Sequence, residues 1–198
     1  RYESWESTYS DTMDLAAMGR VWYLEAGARA RMGDAQGLVD SILRVCRNGR
    51  EHDYYWRERY NDQGGYGAEK YCEYPANLIR IVQRFLLGTD LRLDGTLVLA
   101  PAVPEEYWRQ GFGQTLAWLD RRLQYKMWKD RIAGTYGGGR QRLGVRFLPH
   151  GGEVEIRVTL DEQSATAERE GDLVFVTLPA TSTRQGCRFE IIQTRREP

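Results

Sequence analysis

The spacing of apolar residues changes along this chain, and the change limits which folds it can adopt. Apolar positions recur every three or four residues in the first half, as in a helix, and every second residue after about position 113, as in a strand. The stretch Pro101-Ala102-Val103-Pro104 separates the two patterns, and its prolines cannot continue a helix. We therefore predict an α+β chain with a helical domain over 1–100, a connector over 101–112 and antiparallel strands over 113–198.

Three helices are predicted in the first half. The first runs from Asp14 to Met32 and ends at Gly33-Asp34, and its apolar stripe contains Leu15, Met18, Trp22, Ala26 and Ala30. The second covers 35–48, where Leu38, Ile42 and Val45 form one stripe and Val39, Leu43 and Cys46 form another beside it. A third helix is predicted from Pro75 to Gly88. The wide apolar face of the second helix predicts burial on more than one side.

The second half is predicted to form strands that pack face to face. Leu123, Tyr125 and Met127 alternate with polar residues, and the same alternation recurs from Val154 to Leu160 and from Cys187 to Ile191. The buried face should contain Val154, Ile156, Val158, Phe175, Phe189 and Ile191. Charged residues of alternating sign, Glu155, Arg157, Glu168 and Arg169, should face outward. Because these positions offer no aromatic platform, we expect this domain to be structural.

Charge and cysteine content exclude several classes of function. The 28 Lys and Arg residues balance 28 Asp and Glu residues, so no basic surplus is available for nucleic acid or an anionic membrane. No apolar run approaches the roughly 18 residues that a membrane span requires. Three cysteines and two histidines without close ligand spacing argue against a metal site, and we expect no cofactor. The compartment is left open, with a secreted or periplasmic location favoured over a cytoplasmic one.

A segment from Tyr54 to Tyr74 combines aromatic residues, carboxylates, arginines and glycines. Aromatic faces stack on the C–H faces of sugar rings, whereas carboxylates and guanidinium groups bind hydroxyls. A carboxylate can also activate a water molecule. The composition therefore indicates a carbohydrate site, and the alternative is that the aromatic residues fill a core while the charges solvate a loop.

The order of motifs resembles the C-terminal end of the six-hairpin glycosidases, which have an (α/α)6 barrel followed by a β-sandwich. The sequence WRERYND at 56–62, with glycines after it, is similar to the E-N-Y-N-x-x-x-G type of segment in trehalase-like and rhamnosidase-like members. The segment 74–88 resembles the last barrel helix, and LDGTLVLAPAVP at 93–104 resembles the strand that leaves the barrel. The resemblance implies that the chain contains the last helical hairpins of the barrel and then an antiparallel β-sandwich.

This resemblance also implies a function and a set of site residues. Members use two carboxyl groups about 6.5–9.5 Å apart in an inverting reaction, one as an acid and the other as a base that activates a water molecule. The base corresponds to Glu58, with Glu69 and Glu73 as alternatives. The expected substrate-binding residues are Trp56, Arg59, Tyr60, Asn61, Tyr66 and Tyr71. The acid would lie in the remainder of the barrel, because this chain has only about three barrel helices. The binding partner would be a carbohydrate substrate.

Two other functions stay open at this point. A glycoside phosphorylase has the same barrel but a phosphate site in place of the base, and the many arginines fit that function. A non-catalytic module would only bind sugar or brace a neighbouring domain.

Overall fold

The structure is a computed structural model that describes residues 18–61, 64–148, 153–182 and 186–195. It divides into two compact units, Arg1–Leu87 and Gly88–Pro198. Residues 88–100 belong to the second unit, whereas the sequence pattern places them in the helical domain. The start of the first predicted helix, with Leu15, lies outside the described residues.

The described part of the first unit, from residue 18 onward, contains three helices and a small hairpin. Helix α1 spans Gly19–Met32, α2 spans Ala35–Glu51 and α3 spans Glu73–Ile81. Between α2 and α3, strands β1 (Arg59–Asn61) and β2 (Gly64–Tyr66) pair in antiparallel register. The chain thus has the predicted helices, and α3 begins two residues before Pro75.

The turn between α1 and α2 follows from two residues. Gly33 adopts a φ of 77° that L side chains rarely tolerate, and the N–H of Asp34 donates to the carbonyl of Arg29 at 2.9 Å. The Asp34 carboxylate then accepts a hydrogen bond from the backbone N–H of Gly37 at 2.9 Å, which caps α2. Helix α3 ends in a wider π-helical turn, Val82–Leu86, closed by the N–H of Leu87 donating to the Val82 carbonyl at 2.8 Å.

The core of the first unit is built around Trp22 and Tyr74, whose rings lie 6.1 Å apart. The Trp22 indole N–H donates to Ser41 Oγ at 3.2 Å, so its polar group is satisfied inside the core. Helix α2 buries Leu38, Val39, Ile42 and Val45. The wider apolar face predicted for α2 is wrong at one position, because Leu43 is 54% exposed.

Among the residues described in the second unit are the remaining strands and one short helix, α4 (Glu105–Gln110). A six-stranded sheet has the order β10-β9-β13-β7-β6-β5, and a five-stranded sheet has the order β11-β12-β8-β4-β3. The strands are β3 (Thr89–Leu91), β4 (Leu97–Leu99), β5 (Phe112–Trp118), β6 (Arg121–Trp128), β7 (Arg131–Gly137), β8 (Gln141–Arg146), β9 (Val154–Leu160), β10 (Gln163–Ala165), β11 (Glu168–Glu170), β12 (Leu173–Leu178) and β13 (Cys187–Arg195).

One strand pair is parallel, which corrects the prediction of a wholly antiparallel domain. Strand β4 pairs with β8 in parallel register, with Leu97 opposite Leu143 and Leu99 opposite Val145. A parallel pair requires a long crossover between its strands. Here α4 and strands β5 to β7 supply that crossover. All other strand pairs in the described residues are antiparallel.

Burial follows the predicted alternation in most strands. Strand β6 buries Leu123, Tyr125 and Met127, and β13 buries Cys187, Phe189 and Ile191. Val158 and Phe175 are also buried, whereas Val154 and Ile156 are only half-buried. The outward residues Glu155, Arg157, Glu168 and Arg169 are exposed as expected.

Candidate functional site

The candidate site lies in the segment that joins α2 to α3, within the first unit. Asp53 and Tyr54 both have positive φ, 52° and 61°, which turns the chain sharply away from α2. The chain then forms the β1–β2 hairpin. Two backbone hydrogen bonds close the segment into a compact loop: Tyr71 N–H donates to the Trp56 carbonyl at 2.9 Å, and Glu58 N–H donates to the Ala68 carbonyl at 3.1 Å.

Glu58 is held in place by this loop closure. One carboxylate oxygen accepts the backbone N–H of Ala68 at 3.3 Å, and the other lies 3.4 Å from Arg59 Nε. Gly67, at a φ of 79°, passes so close that a Cβ there would lie 2.9 Å from Glu58 Oε2. The side chain is 30% exposed, so the carboxylate is anchored on two sides and still accessible to water.

The two rival carboxylates have different environments. Glu69 pairs with Arg57 across 2.7 Å and is 69% exposed. Glu73 is in the first turn of α3, where its Cγ lies 2.9 Å from the position that a Cβ on Gly19 would occupy. Glu69 is therefore a solvent-exposed ion-pair partner, and Glu73 packs against the start of α1.

Trp56 and Tyr60 are each only 4% exposed, so their rings contribute to the core of the first unit. The Tyr60 and Tyr74 rings pack edge to face with centroids 5.6 Å apart. The Tyr60 hydroxyl accepts the backbone N–H of Arg57 at 3.1 Å, and burial raises the pKa of Tyr60 above its usual value. These two aromatic residues anchor the segment to the core of the first unit.

The other expected binding residues are distributed along the hairpin. Arg59 is half-buried on β1, and its buried Nε has no hydrogen-bond partner within the described part of the chain. Asn61 and Tyr66 occupy the ends of β1 and β2, and their side chains lie outside what the structure describes. Tyr71 is half-buried at the far end of the loop.

Two exposed aromatic residues are absent from the predicted set of binding residues. Tyr54 and Tyr55 are 60% and 55% exposed, and Lys70 Nζ lies 4.7 Å from the centre of the Tyr55 ring. The Tyr54 ring packs edge to face against the buried Trp56 ring, with centroids 6.0 Å apart, and its outer side stays exposed. Sequence composition places them in the aromatic segment but gives no signal that separates them from the buried rings.

The segment therefore contains a carboxylate and a guanidinium group in contact, Glu58 and Arg59, and it also contains exposed aromatic rings at Tyr54 and Tyr55. This set can bind sugar hydroxyls and activate a water molecule. Two cavities lie in the second unit, and Glu58 lines neither of them. The aromatic-walled pocket expected around Glu58 stays a prediction. No group of three His, Cys, Asp or Glu residues that could hold a metal is found among the residues with described positions.

A helix that spans a membrane must be both long and apolar. Within the ranges that the structure describes, no helix meets both requirements.

No protein-family model matches the chain, and no curated protein matches its sequence. Its fold is similar to parts of solved glycoside hydrolases. One is a GH127 beta-L-arabinofuranosidase from Geobacillus stearothermophilus T6, with 15% identity and a TM-score of 0.39 over 62% of this chain and 19% of that one. Another is an alpha-L-rhamnosidase from Dictyoglumus thermophilum, with 8% identity and a TM-score of 0.47 over 72% of this chain and 16% of that one. The chain thus spans about a fifth of the length of these structures.

Proposed function

We propose that this chain is the C-terminal portion of a glycoside hydrolase, formed by the last hairpins of an (α/α)6 barrel and a β-sandwich. The observation that carries the proposal is the placement of Glu58. Its carboxylate is anchored by the Ala68 N–H and by Arg59, yet it remains partly exposed on a loop rich in aromatic residues. A fixed, hydrated carboxylate beside a hydrogen-bond donor is what water activation at a sugar carbon requires.

In this proposal Glu58 is the general base of an inverting reaction. It accepts a proton from a water molecule as that water attacks the anomeric carbon, and the glycosidic bond breaks on the opposite face. A second carboxylic acid, about 6.5–9.5 Å away, gives its proton to the leaving oxygen. We assign that acid to the remainder of the barrel, outside this chain.

The neighbouring residues have supporting roles. Arg59 Nε lies 3.4 Å from a Glu58 carboxylate oxygen, so we assign Arg59 to holding that carboxylate in its orientation. Trp56 and Tyr60 are buried, and we assign them to positioning of the loop. Contact with the sugar is assigned to the residues of the hairpin and its ends, Asn61, Tyr66 and Tyr71.

The proposal is tested on the intact protein that contains this chain, by measuring release of reducing sugar from a panel of glycans. We expect Glu58→Gln to lower turnover by about 10²-fold or more, because general-base catalysis contributes that much. Glu51→Gln is the control, since Glu51 is an exposed residue at the end of α2. Wild-type turnover in the Glu58 variant would reject the assignment, and loss of turnover in Glu69→Gln or Glu73→Gln instead would transfer the role.

A second measurement separates a catalytic role from a structural one. Azide added to a Glu58→Ala variant should restore turnover and form a glycosyl azide, because a small anion can replace the activated water. Glycan cleavage that requires inorganic phosphate would instead identify a phosphorylase. Absence of cleavage in the wild-type protein with or without phosphate would favour a non-catalytic module.

A further inference from the structure

One end of the second unit holds a cavity of about 370 Å³ whose lining is rich in arginine. We call it the arginine pocket, and its defining residues are Arg92, Arg121, Arg140, Arg142, Asp94 and Trp118. These residues come from three connections: the β3–β4 turn, the β5–β6 turn and the segment from β7 into β8. The pocket is therefore formed where turns of the two sheets meet.

Hydrogen bonds fix the walls of the arginine pocket. The Gln141 side-chain amide donates to the Gly95 carbonyl at 2.7 Å, which joins the start of β8 to the β3–β4 turn. Within that turn, the Asp94 carboxylate accepts the backbone N–H of Thr96 at 2.9 Å. The carboxylate of Asp94 is thus already used by the backbone, so it holds the turn in shape.

The charges of the arginine pocket are unbalanced. Four guanidinium groups line it against the carboxylate of Asp94. Arg142 is paired with Glu168 at 3.3 Å and with Glu170, and its guanidinium covers the Phe175 ring at 3.9 Å. Arg142 is therefore already paired with the carboxylates of β11.

The other three arginines have fewer ion pairs than Arg142 among the described residues, and Arg121 also hydrogen-bonds Tyr136. Arg92 and Arg140 are exposed and have no ion pair within the described part of the chain. Arg121 Nη1 lies 3.7 Å from Asp120, and its buried Nε has no hydrogen-bond partner among the described residues. Clustered guanidinium groups repel one another, so an anion between them gains charge-assisted hydrogen bonds and relieves that repulsion.

The remaining wall is aromatic and apolar. Trp118 is half-buried, and its ring centre lies 6.5 Å from that of Tyr136, which supports it from inside. Leu119 beside it is 91% exposed. An aromatic side chain beside arginine donors suits a ligand with a flat C–H face and a carboxylate, since Trp118 pairs with Arg121 across β5 and β6, and the volume lies within the range of small-molecule sites.

We propose that the arginine pocket binds a carboxylate-bearing sugar residue, a uronic acid, as a glycan-anchoring site. Arg92, Arg121 and Arg140 hold the carboxylate, and Trp118 faces the ring. The choice of a saccharide rests on the proposed function, whereas the choice of an anion rests on the arginines alone. Such a site gives the second unit a binding role in addition to the structural role expected from its sequence.

The test measures binding to the whole chain by isothermal titration calorimetry with a galacturonic acid trimer. A neutral glucose trimer and sodium acetate are the comparison ligands. We expect saturable binding to the galacturonic acid trimer, and a loss of about tenfold or more in the Arg92→Gln/Arg140→Gln variant, because two charge-assisted contacts disappear. Arg157→Gln, an exposed arginine on β9, is the matched control and should bind like the wild type.

Three outcomes would overturn the proposal. They are equal binding of the glucose trimer, binding of acetate as tight as that of the galacturonic acid trimer, and unchanged binding in the double variant. Trp118→Ala gives a second measurement, in which binding of the galacturonic acid trimer should weaken while circular dichroism stays unchanged. Because the titration involves no turnover, its failure is distinct from a failure of the Glu58 assignment.

Discussion

The indole ring of Trp56 lies directly on Gly49, so closely that a Cβ at position 49 would overlap Trp56 Cζ2. This contact joins the last turn of α2 to the loop that contains Glu58. The Trp56 carbonyl in turn accepts the N–H of Tyr71 at 2.9 Å. Because residue 49 has no side chain, the Trp56 ring can pack against α2, and this packing fixes the start of the loop that contains Glu58.

Gly49→Ala is expected to destabilise the first unit. The added methyl group must displace the Trp56 ring, and overpacking of this kind costs about 1–3 kcal/mol. Alanine is the better helix former by about 1 kcal/mol, which offsets only part of the loss. Urea unfolding measures the free energy of unfolding. Gly49→Ala and Trp56→Leu are measured separately and together. The losses in free energy of unfolding should be less than additive in the double variant, and full additivity would show that the contact between these residues does not contribute.

Stability at acid pH should depend on Asp34. Its hydrogen bond from Gly37, and secondarily from Arg29, holds the pKa of the Asp34 carboxyl below its usual value. A carboxyl with a lowered folded pKa stabilises the fold above its unfolded pKa, and that contribution is lost as pH falls through the folded value. Asp34→Asn should therefore show a smaller loss of stability than the wild type between about pH 5 and about pH 2.

The control for this pH measurement is Asp40→Asn, which removes a carboxylate from the same helix without touching its cap. It should keep the wild-type dependence on pH. An Asp34→Asn variant with the same acid-induced loss as the wild type would contradict the assignment.

The sequence predicts which residues form helices and strands better than it predicts which strands pair with each other. The spacing of apolar residues is enough to predict α1, α2 and β6, because each of these elements is long enough for its apolar face to repeat several times. Strands β3 and β4 are three residues long, too short for any periodicity, so the sequence pattern leaves residues 88–100 in the helical domain. The parallel pairing of β4 with β8 depends on residues more than forty positions apart, which no local pattern encodes.

The candidate site, too, is only partly predictable from the sequence. Composition identifies the segment from Tyr54 to Tyr74 as unusual, and Glu58 does lie within its closed loop. Composition cannot separate buried from exposed rings, since either role suits an aromatic residue. For Trp56, burial depends on Gly49, because the absence of a side chain there leaves room for the indole ring.

Gly88 should be among the least replaceable glycines of the second unit. Its φ is 65°, and a Cβ there would overlap the Ala100 carbonyl carbon. The same approach allows Ala100 N–H to donate to the Gly88 carbonyl at 2.9 Å. Gly88→Ala is therefore expected to cost roughly 3 kcal/mol or more, measured by urea unfolding followed by circular dichroism.

Gly95→Ala is the matched control for Gly88→Ala. Gly95 has a φ of 82°, and no described atom lies within 4 Å of the position that a methyl group would take, so only backbone strain applies. We expect a cost of about 1–2 kcal/mol. Equal losses in the two variants would show that strain, and not the close approach to Ala100, determines the requirement for glycine.

Gly67 offers a test of whether the geometry of Glu58 matters for turnover. A methyl group at position 67 would strain a backbone at a φ of 79° and would lie 2.9 Å from Glu58 Oε2. Under the proposed role of Glu58 as the general base, Gly67→Ala in the intact protein should lower kcat by about tenfold or more with a smaller change in KM, because a displaced carboxylate would no longer meet the attacking water. Gly33→Ala is the control, since Gly33 has a φ of 77° and no described neighbour within 4 Å, so it should retain kcat. Equal kcat values in the two variants would show that the position of Glu58 does not affect the chemical step. A change confined to KM would show that its loop acts in substrate binding.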